Sequence, residues 1–557
     1  MMKEINIINN EINIIDNGNL IKVDDIIKNI NIENKLKEII KDLEINWNIE
    51  ELYSFNDLKL YSFYRSTLCN NIKEFLKAFS TIESIINEFG DNIIINTDNI
   101  EFHRITTEIF KIKCNKLDSK LVKSSKYNLK NISRILKGFI SFIKIYLKGN
   151  KENILAITQA ADISQITINN EIKYYDVQYG KVLDELSKNT NVIKLQLLNN
   201  NDIIRKASFL GNEFIPYECF LILKRILRKK FLKNNNKIED QLYKLESYKL
   251  EISKSYNVSE FFYKEYLKNL ESIYINYAIE IETASYFGKK LNINKLIATN
   301  EADRARCFIV GANKLGVPTF GIQHGIISDV SYAYFTPTNQ KILVPTMTFL
   351  WGKSFQDILL KTNVYSLYNT KVVGQSRTDF LIEKANLSNI NRSNTKKILY
   401  ATQPIDDLTY EATNILFESI KGLDNIEILI KLHPNDPNKE YYYSMIKKYN
   451  YDNIRVEKEI DLYDAIIWCD LIFTVHSTVV LDGAILRKPS VCCLLKNYYD
   501  QGDFVKNNIS YGINTSNELR KVLVNNDLEI DYDIIDNNIF SPDGNVYIRI
   551  INTINSI

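Results

Sequence analysis

Beyond residue 90 the chain alternates short apolar runs of strand length with longer stretches of helical period, the rhythm of a parallel sheet covered on both faces. Strands are predicted at 92–96, 154–158, 192–197, 295–299 and 319–323, with helices between most of them. A second unit of the same kind begins near 395. Its predicted strands are 397–401, 426–432, 454–457, 471–475 and 490–495, and its helices 408–420, 462–468 and 479–486. A charged, largely helical insertion at about 200–290 interrupts the first unit. The first 85 residues read as short strands or loops followed by helices such as 72–89. Between the units, Phe349-Leu350-Trp351-Gly352 and Val372-Val373-Gly374 are apolar runs stopped by glycine, expected to form hinge and crossing. The pattern predicts an α/β chain with a mixed extension (1–90), a doubly wound domain (91–345) carrying the insertion, and a second doubly wound domain (346–557) facing it across a cleft.

Composition changes this picture little. A chain of 557 residues, 45% hydrophobic and 25% charged, is that of a soluble globular protein too long for one core. The 70 basic residues against 68 acidic ones leave a net charge of +2, which gives no support to a nucleic-acid partner. The seven cysteines show no C-x-x-C pair or repeated spacing, so neither a zinc site nor a disulfide framework is indicated. No signal-like apolar start and no run of membrane-spanning length occurs, so a cytosolic protein is expected.

The chemistry clusters at strand ends. Of four histidines, three sit just past an apolar strand pattern: His324, His433 and His476. In open α/β sheets that edge is where ligands bind. In Lys431-Leu432-His433-Pro434 the proline removes a ladder donor and holds His433 extended, where it could donate to a phosphate or bond to neighbouring backbone. Ser477 and Thr478 open the next helix, and Asp482 follows one turn later, within reach of a ribose hydroxyl; a helix cap would use the same residues without a ligand. In the first unit Gln323-His324-Gly325 ends one strand, and Asn300-Glu301-Ala302-Asp303 ends its neighbour. Glu301 or His324 could take a proton from an attacking hydroxyl, with Glu301 the first choice; Glu301 and Asp303 would also complement a helix N-terminus.

Local charge is uneven. From Leu121 to Lys151 there are eight basic residues and no acidic one, interleaved with Ile135, Leu136, Phe139, Ile140, Phe142, Ile143 and Leu147. A second basic stretch lies within 221–233, including Lys224, Arg225, Arg228, Lys229 and Lys230. Such segments either form solvated faces of packed helices or lie on an anionic bilayer, which would place the chain at the inner face of the membrane as a peripheral protein.

These segments together resemble the GT-B glycosyltransferases of bacterial surface-polysaccharide assembly, such as capsule Kdo transferases, polysialyltransferases and CDP-glycerol glycerophosphotransferases. The resemblance covers about residues 290–515. It rests on Gly316-Val317-Pro318 leading to Gln323-His324-Gly325, on Trp351-Gly352, on Val373-Gly374-Gln375-Ser376-Arg377-Thr378-Asp379, on His433-Pro434, and on Ser477-Thr478 followed by Asp482-Gly483-Ala484 and Arg487-Lys488-Pro489. The chain departs from the common pattern in Asp482, where glutamate is usual, and Arg487, where glycine is usual. The resemblance implies two Rossmann-like domains. The C-terminal one would bind a nucleotide-activated donor (CMP-, CDP- or UDP-linked) through His433, Pro434, Ser477, Thr478, Asp482, Lys431, Gln403 and Arg377. The N-terminal one would hold a glycan or lipid-linked acceptor and the catalytic Glu301, His324 and Asp303. Neither metal nor cofactor is implied. Two alternatives stay open: a non-hydrolysing nucleotide-sugar 2-epimerase, and a non-catalytic scaffold of the same fold in a polysaccharide assembly complex.

Overall fold

The computed structural model describes residues 3–8, 11–16, 19–22, 32–46, 48–52, 54–55, 57–117, 129–147, 152–159, 162–168, 171–197, 214–232, 258–267, 270–299, 301, 303–328, 331, 334–335, 339–388, 395–403, 406–433, 436, 438–495, 502–525, 528, 531–539 and 542–557. Its centre is two parallel sheets. In the first, seven strands lie side by side as Phe214–Pro216, Asn191–Leu197, Asn153–Gln159, Ile293–Ala298, Thr319–Ile322, Met347–Leu350 and Thr370–Val372, every pair parallel. Numbered along the chain, the order is 3-2-1-4-5-6-7. In the second, Ile454–Glu457, Ile426–Lys431, Lys396–Ala401, Leu471–Thr474, Ser490–Cys493 and Tyr511–Ile513 give 3-2-1-4-5-6. Both are doubly wound sheets whose order reverses between strands 1 and 4. The central strands are buried along their length, which is why they read as continuous apolar runs rather than as alternation.

Three placements differ from the pattern-based expectation. The strand at 92–96 forms as Ile93–Thr97 but pairs with Lys3–Ile8 and Lys113–Lys116, in a separate five-stranded sheet completed by Glu11–Asp16 and Asn19–Lys22. Period alone does not say which sheet a strand joins. The supposed hinge contains the last two strands of the first sheet, Met347–Leu350 and Thr370–Val372, each ending where glycine or its neighbour stops the run. The C-terminal helix Val546–Ser556 returns to the first sheet: Val546, Ile550 and Ile554 pack with Ile154, Ile297 and Phe320. Fully buried Asp379 accepts from the backbone N–H groups of Val546 and Tyr547 (3.1 and 2.9 Å) and fixes the start of that helix.

The insertion has a structural use. Helix Leu270–Lys290 gives Leu270, Tyr274, Ala278 and Ile281 to the core under the five-stranded sheet and Ala284 and Phe287 to that of the seven-stranded sheet. One helix thus belongs to two cores. Between the doubly wound domains, Ile327, Tyr334, Trp351 and Phe355 of the first share a core with Leu399, Ala401, Ile466 and Val480 of the second. Ile327 and Trp351 follow strand carboxyl ends in one sheet and Ala401 closes a strand in the other, so the two carboxyl edges meet at the cleft. No described helix is long and apolar enough to cross a membrane.

Candidate functional site

In the second sheet the order reverses between Lys396–Ala401 and Leu471–Thr474, and polar residues collect just past their ends: Thr402 and Gln403 after one, His476, Ser477 and Thr478 after the other, His433 beside them. The loop holding His433 is built by Asp436, a buried carboxylate that the sequence reading overlooked. It accepts from Thr402 Oγ1 (2.7 Å), the Tyr442 hydroxyl (3.0 Å) and the Asn438 N–H (2.9 Å). Thr402 Oγ1 in turn accepts the His433 N–H at 3.0 Å, so the histidine backbone is held just past the strand end, with the residue half-buried. Burial pulls the His433 pKa down, and Lys431 and Lys458 add to this against Asp436; the ring is neutral near pH 7 and carries one N–H donor. Pro434 lies outside the described residues.

Ser477 Oγ accepts from the Val479 N–H at 3.3 Å, the local cap of helix Val479–Ile485, while the Thr478 side chain makes no capping bond. Gln403 is buried at the end of its strand. Lys431 Nζ donates to the carbonyls of Leu432 (3.1 Å) and Lys458 (2.8 Å), so its ammonium ties two strand ends together.

Arg377 and Asp482, both expected at the donor, instead hold each other. Arg377 Nε and Nη2 donate to Asp482 Oδ1 and Oδ2 at 3.1 and 3.0 Å, the guanidinium lies 5.7 Å from the Trp351 ring, and the Tyr463 hydroxyl donates to the Arg377 carbonyl at 2.7 Å. Arg377 follows the last strand of the first sheet and Asp482 rides a helix of the second, so this bidentate pair spans the domains. Burial pushes the Asp482 carboxyl up against the pull of Arg377; the same burial works against the guanidinium, which Asp482 keeps charged. Arg487, at the position where glycine is usual in the resembling transferases, has φ +56° and is held by Asp536 at 2.9 Å.

In the first domain Glu301 is 1% exposed. Its Oε1 accepts from Thr348 Oγ1 at 2.8 Å and its Oε2 from the Tyr365 hydroxyl at 2.5 Å. Expected at the cleft edge, it is tucked against strand Thr319–Ile322 so closely that a Cβ on Gly321 would stand 2.0 Å from Oε1. As placed it offers an acceptor no free oxygen. His324 differs in its bonding: its ring bonds to the backbone of Thr299, and Nδ1, itself buried, has no partner among the described residues. Burial lowers its pKa below the ordinary 6.5, so the neutral ring with a lone pair prevails at pH 7. Asp303 opens helix Asp303–Asn313, and nothing further about its side chain is described. Two carboxyls that the sequence reading missed sit at the ends of the antiparallel hairpin Ile163–Ile168 and Glu171–Asp176, which follows the first strand of this sheet: Asp162 precedes it and Asp176 closes it. Burial raises Asp162 to about 6, and Asp176 is raised by burial and by Asp162. Just beyond His324, a groove between the domains is lined by Ile326, Phe335, Phe355, Lys361, Lys506 and Asn537. Among the described residues no cluster of His, Cys, Asp and Glu could hold a metal ion.

Comparison with known proteins adds a fold-level likeness only. No family model matches the chain, and no curated protein matches it. Among solved structures, the UDP-GlcNAc 2-epimerase of Neisseria meningitidis bound to UDP-GlcNAc is 12% identical, with 73% of this chain and 100% of that one covered and a TM-score of 0.47. The UDP-GlcNAc 2-epimerase of Methanocaldococcus jannaschii is 11% identical over 73% and 100%, TM-score 0.46. MurG of Acinetobacter baumannii is 11% identical over 73% and 100%, TM-score 0.40. Scores this low lend no weight, and the fold rests on the two strand orders above.

The ion pair yields a direct test. Replacing Asp482 with Asn leaves the Arg377 charge buried without its counter-ion, so unfolding free energy should fall by about 3–5 kcal/mol in denaturant titration. A variant as stable as the parent but unable to bind donor would instead mean that Asp482 serves the ligand.

Proposed function

We propose that this chain transfers a sugar from a nucleotide-activated donor to a glycan or lipid-linked acceptor without a metal ion. The observation that carries the reading is the gathering of His433, Ser477 and Thr478 at the crevice where the second sheet reverses its order, with His324 at the corresponding edge of the first. The donor would lie with its phosphates against His433 and the two hydroxyls and its base toward Gln403. As the glycosidic bond to phosphate breaks, negative charge on the leaving nucleotide is met by fixed N–H and O–H donors, the role a cation plays elsewhere. The acceptor would enter along the groove that begins at Ile326 and bring its hydroxyl to His324, whose Nδ1, buried and unpartnered in the unliganded chain, would take the proton once that strand end opens to the acceptor. Glu301 then shapes the strand end instead of acting as the base, through Thr348 and Tyr365. A CMP-, CDP- or UDP-linked sugar fits this account equally.

Replacing His433 with Ala, or Ser477 and Thr478 together with Ala, should weaken donor binding by about 1.5–3 kcal/mol, roughly 10- to 150-fold, in calorimetric titration with no loss of thermal stability. Unchanged affinity in both would remove the donor from this crevice. Product analysis separates the alternatives: a sugar appearing on the acceptor supports transfer, whereas a nucleotide sugar inverted at one carbon with no acceptor needed supports an epimerase.

The base assignment predicts a pH signature. His324 acts when deprotonated and its pKa lies below 6.5, so turnover should be flat near neutrality and fall as pH drops through that lowered value. His324→Ala should cut turnover by about 100-fold or more and abolish the acid limb, while Glu301→Gln keeps the limb. Should His324→Ala retain both, His324 is not the base.

A further inference from the structure

Helix Leu129–Leu147 carries two apolar faces, and among the described residues only one of them is packed. The inner face packs: a Cβ on Gly138 would stand 2.4 Å from Pro216 Cδ and 2.8 Å from Cys219 Sγ, the Cys219 thiol bonds to the Ile135 carbonyl, and the Phe142 and Phe287 rings are 6.3 Å apart. The outer face presents Leu136, Phe139, Ile140, Ile143 and Leu147, between 44% and 75% exposed, at spacings i, i+3, i+4, i+7 and i+11 that form one stripe. No other described helix exposes more than two large apolar residues. The helix that comes next in this respect, Tyr217–Leu232, is the one packed beside it and exposes Leu221 and Ile226. The patch therefore spans two neighbouring helices and has no cover among the described residues.

Charge selects the occupant. In the sequence Lys130, Lys137 and Lys144 recur every seven residues within a stretch of 31 that contains no acid; Lys144 is exposed on the first helix, and Arg225 and Arg228 are exposed on the second. Lys224 is excluded, since Glu280 holds it at 2.6 Å. A second copy of the chain would set these cationic groups against each other. An anionic lipid surface takes both features at once, apolar side chains among the acyl chains and ammonium and guanidinium groups at the headgroups. We propose that this two-helix face docks the protein in the plane of an anionic bilayer, with Leu136, Phe139, Ile140, Ile143 and Leu147 inserted. The docking is independent of the nucleotide-sugar reading.

The test is flotation of the full-length chain with vesicles of phosphatidylcholine alone or mixed with phosphatidylglycerol. Binding should favour the mixed vesicles and weaken in high salt. F139Q/I143Q should lower partition about tenfold or more, and because both side chains are exposed the melting temperature and donor affinity should not move. Equal partition of parent and variant, or no preference for the anionic vesicles, overturns the proposal. So does a parent dimer that the same variant dissolves, which would assign the face to a second copy. Either failure leaves the donor site untouched, because vesicle binding requires no nucleotide sugar.

Discussion

Two all-parallel sheets, each covered on both faces, constrain everything else in this molecule. Burial on both faces requires every backbone N–H and C=O of the central strands to be paired within the sheet, so polar side chains are admitted only where strands end. Both sheets reverse their order between strands 1 and 4, and at that reversal the connections leave in opposite directions and open a crevice. In the second domain the crevice is edged by Thr402, Gln403, Ser477 and Thr478; in the first, His324 follows strand 5, while Glu301 follows strand 4 but is buried against Thr348 and Tyr365. The site is a consequence of topology before it is one of residue choice.

The crevices have to be held in register, and here the molecule uses charge in a place where charge is expensive. The Arg377–Asp482 pair is buried, bidentate and braced by Trp351 and Tyr463. Such a pair adds little net stability over an apolar substitute, yet it fixes one geometry because neither partner tolerates another neighbour. The returning C-terminal helix acts in the same sense. Arg549 donates to the Val373 carbonyl at 2.7 Å and Asp379 caps the helix start, so the helix is tied to the segment that follows the last strand of the first sheet.

Much of this was legible in the sequence because fully buried strands are uninterrupted and end sharply. Strand Ile454–Glu457 and helix Leu462–Trp468 fall where their patterns place them, and the strand before His433 ends one residue earlier than expected. What was hidden depends on partners distant in sequence. Nothing near Asp482 says that its counter-ion arrives from Arg377, 105 residues earlier, and nothing near Glu301 announces Thr348 and Tyr365. Asp436 did leave a signal: an aspartate two residues after His-Pro is well placed to turn back on its own loop, as its bond to the Asn438 N–H shows. The edge strands Tyr511–Ile513 and Phe214–Pro216 are three residues long and carry too little period to be read.

The central claim is that a nucleotide-activated sugar occupies the crevice of the second domain. The most direct measurement is thermal unfolding of the purified chain against a panel of CMP-, CDP-, UDP- and GDP-sugars, with and without EDTA. The account predicts that one pyrimidine nucleotide class stabilises the fold, by about 2.7 kcal/mol when present at about 100 times its Kd, and that EDTA does not alter the effect. A chain that no nucleotide sugar stabilises, or that responds only when a divalent cation is supplied, would contradict it.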